Sequence, residues 1–291
     1  MKLPAPLRTI CPLALVLSYW LLCYSLMGLR SDHLVVGLLA IAAYYLHPKT
    51  REFIASFAIY LLYWAIYDLM RAFPNYRYNT VHIAELYNAE KNLFGINIQG
   101  NTLTPCEYFA QHTHALLDIL GGLFYITWVP IPVAIAFYLW YSDKAAFKRF
   151  TYLFLGANFI GFFIYYLYPA APPWYVAQYG FQLQAHVPAS PAGLTRFDSL
   201  LGVSVFKGMY GMGANVFAAM PSLHSANPAV LLLFGWNYFK RARLALLLFG
   251  IGIWFSAVYL NHHYLLDVLG GITCAVLAWV VVQYGKSYHK E

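Results

Sequence analysis

Residues 264–285 read YLLDVLGGITCAVLAWVVVQYG, a run in which Asp267 is the single charged residue. At ~1.5 Å per residue, a helix of this length covers the ~30 Å hydrocarbon core of a bilayer, so the run predicts a membrane helix. Its one acid sits a turn inside the start. An aspartate at the centre of such a helix costs ~2.5–3.5 kcal/mol on insertion scales. Near the end the penalty is smaller, but the carboxylate still calls for a partner.

Outward from this run, further apolar segments lie near 10–29, 33–47, 53–72, 115–140, 148–168, 222–239 and 243–261. The 291 residues are 61% hydrophobic and 10% charged, against roughly 25% charged in soluble domains. A soluble fold of this length lacks the interior to hide so much apolar side chain; a bilayer does not need one. The segment from Ile10 is too long for a signal-peptide core and is followed by other spans, so it reads as the first membrane helix. Pro130 and Pro132 predict a kink in the fourth segment. The expectation is an all-α polytopic bundle of about eight transmembrane helices, divided into N-terminal membrane helices over 1–52 and a catalytic membrane domain over 53–291.

The net charge of +7 raises nucleic acid as a partner, but the basic residues are scattered between apolar segments, not gathered on one face. They read as membrane-orienting charge, and no nucleic-acid partner is expected. With the N-terminus in the cytoplasm, Arg30, Arg71, Arg77, Lys91, Arg196 and Lys207 fall outside and the other twelve of the 18 Lys and Arg fall inside, among them Lys2 and Lys290. The positive-inside rule favours this orientation, and it requires keeping the short second span. Two long polar stretches, near 73–114 and 169–221, then lie on the non-cytoplasmic side. The first mixes Val81, Leu86, Leu93 and Phe94 among polar residues and is expected along the interface. In the second, the Pro169–Trp174 run is expected to shape an outer lip. Cys11, Cys23 and Cys274 lie in apolar segments, and Cys106 is alone in a polar one, so there is no disulfide framework.

Two motifs carry possible chemistry: Met220-Pro221-Ser222-Leu223-His224-Ser225 at the outer start of the sixth span, and Tyr259-Leu260-Asn261-His262-His263-Tyr264-Leu265-Leu266-Asp267 at the turn into the eighth. The charge-based orientation puts both at one membrane face, although neither was used to build it. His263 and Asp267, four apart on a helix, are neighbours on one face. A carboxylate accepting from one ring nitrogen fixes the tautomer and raises the basicity of the other. A histidine so held can attack phosphorus, and a second imidazole, His224, can protonate the departing oxygen and later deprotonate an acceptor. The same pair also serves as a structural hydrogen bond in many helices. His224, His263 and Asp267 are zinc-ligand types as well, but no HxxxH or CxxC spacing supports a metal. For phosphate neutralisation the candidates are Arg196 and Lys207. Arg71, one turn from Asp68, is a third candidate or half of an ion pair. Asn227, His262 and Tyr264 are hydrogen-bond donors beside the triad.

At these residues the chain resembles the type-2 phosphatidic acid phosphatase superfamily. Pro221-Ser222-Leu223-His224 is similar to its Pro-Ser-Gly-His motif, with Leu223 for glycine. Ser256-Ala257, five residues, then His263-x3-Asp267 is similar to Ser-Arg-x5-His-x3-Asp, with Ala257 for arginine. The family's Lys-x6-Arg-Pro motif is absent. The narrower branch of fungal inositol phosphorylceramide synthases and bacterial relatives looks similar also at Tyr67-Asp68-Leu69-Met70-Arg71, Tyr168–Tyr175, and Gly193-Leu194-Thr195-Arg196-Phe197-Asp198. This resemblance implies a six-helix core and metal-free, cofactor-free transfer of a phosphate-linked head group from a phospholipid donor to a ceramide-like lipid alcohol. It implies His263 as nucleophile, Asp267 as its orienting carboxylate and His224 as acid and base. A phosphatase using water is the alternative enzyme. A transporter or scaffold binding anionic head groups is the non-enzyme alternative, against which stand the missing internal repeat and the clustering of polar residues at one face. No retention or lipidation motif marks the ends, and the compact ends lean towards a bacterial inner membrane over the Golgi.

Overall fold

The computed structural model describes residues 5–211, 213 and 215–287; Lys2 and Lys290, counted above as cytoplasmic, lie outside them. Among the described residues the structure is helical apart from one two-stranded hairpin. The chain divides into two compact units, Met1–Pro74 and Asn75–Glu291.

The first unit holds α1 (Ala5–Met27), α2 (Ser31–Leu46) and α3 (Pro48–Leu69), so α3, which the 52/53 division assigns to the catalytic part, groups with the two helices before it. Gly28, at φ 83, ends α1 in the left-handed region that a residue with a Cβ rarely adopts. Pro48 opens α3 at a position whose N–H has no helical acceptor. Leu15, Leu21 and Leu39 point outward and are largely exposed, as a lipid-facing surface requires. The last turn of α3 buries Asp68, which accepts from His33 Nε2 at 2.8 Å, Arg30 Nη2 at 2.9 Å and Arg71 Nε at 3.0 Å.

The second unit comprises α4 (Ala84–Phe94), β1 (Ile96–Ile98), β2 (Asn101–Leu103), α5 (Pro105–Gln111), α6 (Ala115–Ile126), α7 (Pro130–Ser142), α8 (Lys144–Leu167), α9 (Pro173–Tyr179), α10 (Leu194–Leu201), α11 (Val205–Gly211), α12 (Leu223–Tyr238), α13 (Arg243–Tyr259) and α14 (Leu265–Ser287). At its centre α12 packs on α8, α13 and α14, while α6 lies on α13 and α7 on α8. Gln99 and Gly100, at φ 50 and 86, make the two-residue turn with positive φ at both positions that suits the twist of a tight hairpin. Thr104 and Glu107 form a capping box at the start of α5. The stretch expected along the interface is thus α4, the hairpin and α5, with Val81 and Leu86 buried and Leu93 exposed.

Among the described residues, four helical stretches are long and apolar enough to cross a bilayer: Pro48–Leu69, Lys144–Leu167, Lys240–Tyr259 and Leu265–Tyr284. A fifth is α6 and α7 taken together, bent by 42° where Pro130 and Pro132 interrupt the helix. The protein is therefore an integral membrane protein with four or five candidate spans by length. Helices α1, α2 and α12 match the remaining apolar segments; the apolar part of α1 is Cys11–Met27, and the 16 residues of α2 or α12 reach only ~24 Å. The Pro169–Tyr175 run is buried and is not an exposed lip. Ala170 pairs through its backbone with Phe217 and Ala219, and Ala171 donates to the His82 carbonyl, so the run straps three segments together.

Candidate active site

Close helix approach brings the two histidine motifs together. A Cβ on Gly271 would lie 2.0 Å from the Ser222 carbonyl oxygen, so only glycine lets α14 come this near the start of α12. The Ser222 N–H donates to the Asp267 carbonyl at 2.9 Å. Ser222 is the N-cap of α12, with its hydroxyl accepting from the Ser225 N–H, which fixes where His224 leaves the helix. On the other side, Asn261 takes φ 63, a left-handed conformation that Asn tolerates, and turns the chain so that the His262 and His263 N–H groups both reach the Ala257 carbonyl.

The two imidazoles touch. His224 Nδ1 lies 3.1 Å from His263 Nε2. His263 Nδ1 lies 3.1 Å from the Ala219 carbonyl oxygen, which can only accept, so Nδ1 carries the proton and Nε2 presents its lone pair. His224 Nδ1 must then be the donor in the shared contact. His263 and Asp267 are buried and His224 half-buried.

The Asp267 carboxylate differs from the sequence expectation. Its Oδ2 lies 3.6 Å from His263 Nδ1, beyond hydrogen-bond reach, and accepts the Tyr264 N–H at 2.8 Å instead. Asp267 is the third residue of α14 and bonds back to the N-cap backbone, the local habit of an acid at that position. Its charge still sits beside the His263 ring, where it favours any positive charge the imidazole acquires. Asp267 Oδ1 has no hydrogen-bond partner among the described residues.

A stack of rings holds His224. Tyr125 lies against it at 4.3 Å and 18°, His262 follows Tyr125 at 5.0 Å and 28°, and Tyr210 follows His262 at 4.9 Å and 29°. Trp128 closes on His224 at 4.2 Å. Aromatic faces of this kind can carry an imidazolium. His262 is committed: its Nε2–H donates to the Pro191 carbonyl at 2.9 Å and its Nδ1 accepts from the Tyr210 hydroxyl at 3.3 Å. Burial, with the neighbouring His263 ring adding to it, pushes His262 down to about 3. It is a neutral wedge at physiological pH.

The other sequence candidates divide. Arg196 Nε pairs with Asp118 Oδ1 at 2.7 Å, Asp118 also accepts from the Tyr259 hydroxyl at 3.0 Å, and the guanidinium lies over the Tyr259 ring. This places Arg196 beside the turn leading to His262, with its Nη2 buried and unpartnered among the described residues. The Lys207 side chain is exposed, and its backbone N–H donates to Asp198 Oδ2 at 2.9 Å. Asn227 accepts from Asn158 at 2.9 Å, leaving its own buried amide nitrogen unpartnered among the described residues, as is the Tyr264 hydroxyl. Arg71 and Asp68 belong to the first unit, where they form an ion pair shared with Arg30 and His33. The one group of described residues with metal-ligand spacing is Cys23, His33 and Asp68. There, His33 Nδ1 accepts from the Arg30 N–H while Nε2 bonds Asp68, so the ring has no nitrogen left for a cation.

Sequence reasoning missed Glu90 and Cys106. Glu90 accepts the Leu265 and Leu266 N–H groups at 2.9 and 3.0 Å, and Cys106 donates to the His263 carbonyl at 3.3 Å. Burial pushes the Glu90 carboxyl up, with its two N–H donors opposing, and pushes the Cys106 thiol well up. An acid inside the amphipathic α4 is the only trace these contacts leave in the sequence.

Comparison with known proteins agrees with the motifs. Over residues 96–281 the chain matches the PAP2 superfamily. It is 40% identical over 287 residues to the phosphoinositol dihydroceramide synthase of Bacteroides thetaiotaomicron, covering 97% of this chain and 94% of that one. It is 30% identical over 249 residues to the inositol phosphorylceramide synthase catalytic subunit of Saccharomyces cerevisiae, covering 83% of this chain and 59% of that one. With the inositol phosphorylceramide synthase of Candida albicans it shares 31% identity over 252 residues, 86% of this chain and 51% of that one. No solved structure matches. With more than half of its length inside one family match and a relative aligned almost end to end, the chain belongs to the PAP2 superfamily.

Proposed function

We propose that this protein is a lipid phosphotransferase that moves phosphoinositol from phosphatidylinositol to a ceramide-like lipid alcohol through a phosphohistidine on His263. The observation that carries the reading is the 3.1 Å contact between His224 and the lone-pair nitrogen of His263, beside the buried Asp267. The similarity to the Bacteroides synthase supports the choice of head group and acceptor.

In this reading His263 Nε2 is covered by the His224 N–H until substrate arrives. The donor phosphate exchanges that hydrogen bond for one to its own oxygen, with nitrogen and phosphorus ~3–3.5 Å apart. His263 Nε2 forms a bond to phosphorus as the bond to the diacylglycerol oxygen breaks, and His224, as imidazolium, gives that oxygen its proton. The phosphorylated ring keeps its Nδ1 proton and its positive charge, facing Asp267 and the Ala219 carbonyl. Neutral His224 then takes the proton of the lipid hydroxyl, whose oxygen attacks phosphorus and releases His263. The Leu223 and His224 N–H groups, in the first turn of α12, have no intrahelical acceptor and suit the developing phosphoryl charge. Arg196 supplies the cation. Replacing it by glutamine is expected to lower kcat/KM by about 10- to 100-fold, the worth of a hydrogen bond to a charged group. Steady-state kinetics with phosphatidylinositol measure this, and an unchanged kcat/KM would remove Arg196 from the site.

The catalytic part lies within residues 53–291, and its reacting residues within the 75–291 unit. We read eight passes, with α1 and the short α2 and α12 crossing as well, and the site on the non-cytoplasmic face; the sided distribution of Lys and Arg supports this. We read a bacterial inner membrane as the setting, in keeping with the bacterial source of the 40% identical relative. Mass spectrometry of lipids formed when membranes containing the protein receive ceramide and phosphatidylinositol tests the function. Inositol phosphorylceramide and diacylglycerol in equal amounts are expected. Inositol phosphate released without any lipid acceptor would replace the reading by a phosphatase, and no conversion would replace it by a binding protein.

A further inference from the structure

The extramembrane segment of α4 and α5 grips the catalytic turn from behind. Glu90 is fully buried, and its two carboxylate oxygens each take one backbone N–H, Leu265 on Oε1 and Leu266 on Oε2. The Cys106 thiol, also buried, donates to the His263 carbonyl. Leu265 and Leu266 are the first residues of α14, and Asp267 Oδ2 takes the N–H of Tyr264 just before them. Three successive backbone donors at this helix start are thus held by carboxylates, two of them by a residue 175 and 176 positions away.

Packing alone does not account for an acid here. A buried carboxylate loses its hydration, and an apolar residue of similar size would fill the space at no such cost. What the charge provides is direction. A bidentate carboxylate at a helix N-terminus, attracted by the helix dipole, fixes both the height and the rotation of the first turn. That turn carries Asp267, and His263 lies two residues ahead of its start. The same contact occupies the α14 N–H groups that would otherwise attract phosphate, which leaves the start of α12 as the anion-binding helix end.

We propose that Glu90 is a positioning residue for phosphoryl transfer, setting through Leu265 and Leu266 the register of the α14 first turn and so the aim of His263 over Asp267. The inference rests on His263 being the nucleophile. Glu90→Gln is nearly isosteric but turns an NH2 towards one of the two N–H donors. A misplacement on the order of 1 Å costs about 100-fold in rate, so kcat is expected to fall roughly 10- to 100-fold. The KM values for donor and acceptor should stay within about twofold, since no substrate contact is removed. Glu90→Asp, which keeps the charge, should recover part of kcat. Cys106→Ala should lower kcat by only a few-fold, in keeping with a weak S–H donor.

All three variants are assayed in detergent beside wild type and His263→Ala, with the folded fraction of each measured by thermal unfolding. An inactive His263→Ala together with the kcat-only loss in Glu90→Gln supports the proposal. An inactive His263→Ala with kcat unchanged in Glu90→Gln and Glu90→Asp overturns it alone. So does a loss that appears in KM or merely tracks the folded fraction. An active His263→Ala overturns the nucleophile reading and this inference with it.

Discussion

Replacing His263 by alanine is expected to reduce phosphoinositol transfer by at least about 10⁴-fold, the scale on which loss of a covalent nucleophile is felt even when binding groups remain. Nothing nearby can substitute. His262 has both ring nitrogens committed, to Pro191 and Tyr210. His224 is the proton carrier of the pair, and if it attacked phosphorus itself the departing alkoxide would have no acid to protonate it. The variant should still fold, because the contacts that close the turn run through the backbone N–H of residue 263 to Ala257 and through its carbonyl to Cys106. Substrate KM should change little. The combination to be measured is a cooperative unfolding transition near that of wild type with turnover at the limit of detection. Turnover near wild type would remove the covalent mechanism.

Replacing His224 by alanine is expected to act selectively. With phosphatidylinositol the leaving alkoxide is a poor one, and loss of general-acid help should lower the rate by about 10²–10⁴-fold. With an inositol phosphodiester of nitrophenol, whose anion leaves unaided, formation of the phosphohistidine should be within about tenfold of wild type. Resolution of that intermediate by the lipid alcohol should stay slow, because the same imidazole has to remove the hydroxyl proton. A burst of nitrophenolate near one per protein, followed by slow turnover, is the expected trace. The Tyr125 and Trp128 rings that flank His224 will close partly over the space left by the alanine, so the burst is read against the folded fraction. An inert nitrophenyl donor would mean that His224 does more than move protons.

Much of this site was legible as spacing. His263 and Asp267 stand four apart at the start of one apolar run, and the Met220–Ser225 motif opens another, so local spacing marks both. Their convergence also followed from the charge-based orientation, since both motifs begin or end a span on one side. The hydrogen bond expected between Asp267 and His263 was not legible, because the position of Asp267 as third residue of α14 lets it bond the Tyr264 N–H instead. Partners distant in sequence escaped altogether. Glu90 meets Leu265 across 175 positions, and Asp118 meets Arg196 across 78. No periodicity encodes such pairs. In the first unit, the Asp68–Arg71 spacing was visible, but Arg30 and His33, 38 and 35 positions away, were not. The helix count was only partly legible because hydropathy measures apolar length while a helix ends where its backbone is capped. Helix α2, for instance, ends after 16 residues because His47 is extended and caps α3.

The most direct test of the mechanism is a single-turnover experiment with phosphatidylinositol carrying ³²P in its phosphate, without acceptor, quenched in base and mapped by peptide mass spectrometry. The mechanism places acid-labile label on His263, with diacylglycerol released in equal amount and the label passing to lipid when ceramide is added before the quench. Label on any other residue, or transfer to ceramide with no labelled protein at any time point, would contradict it.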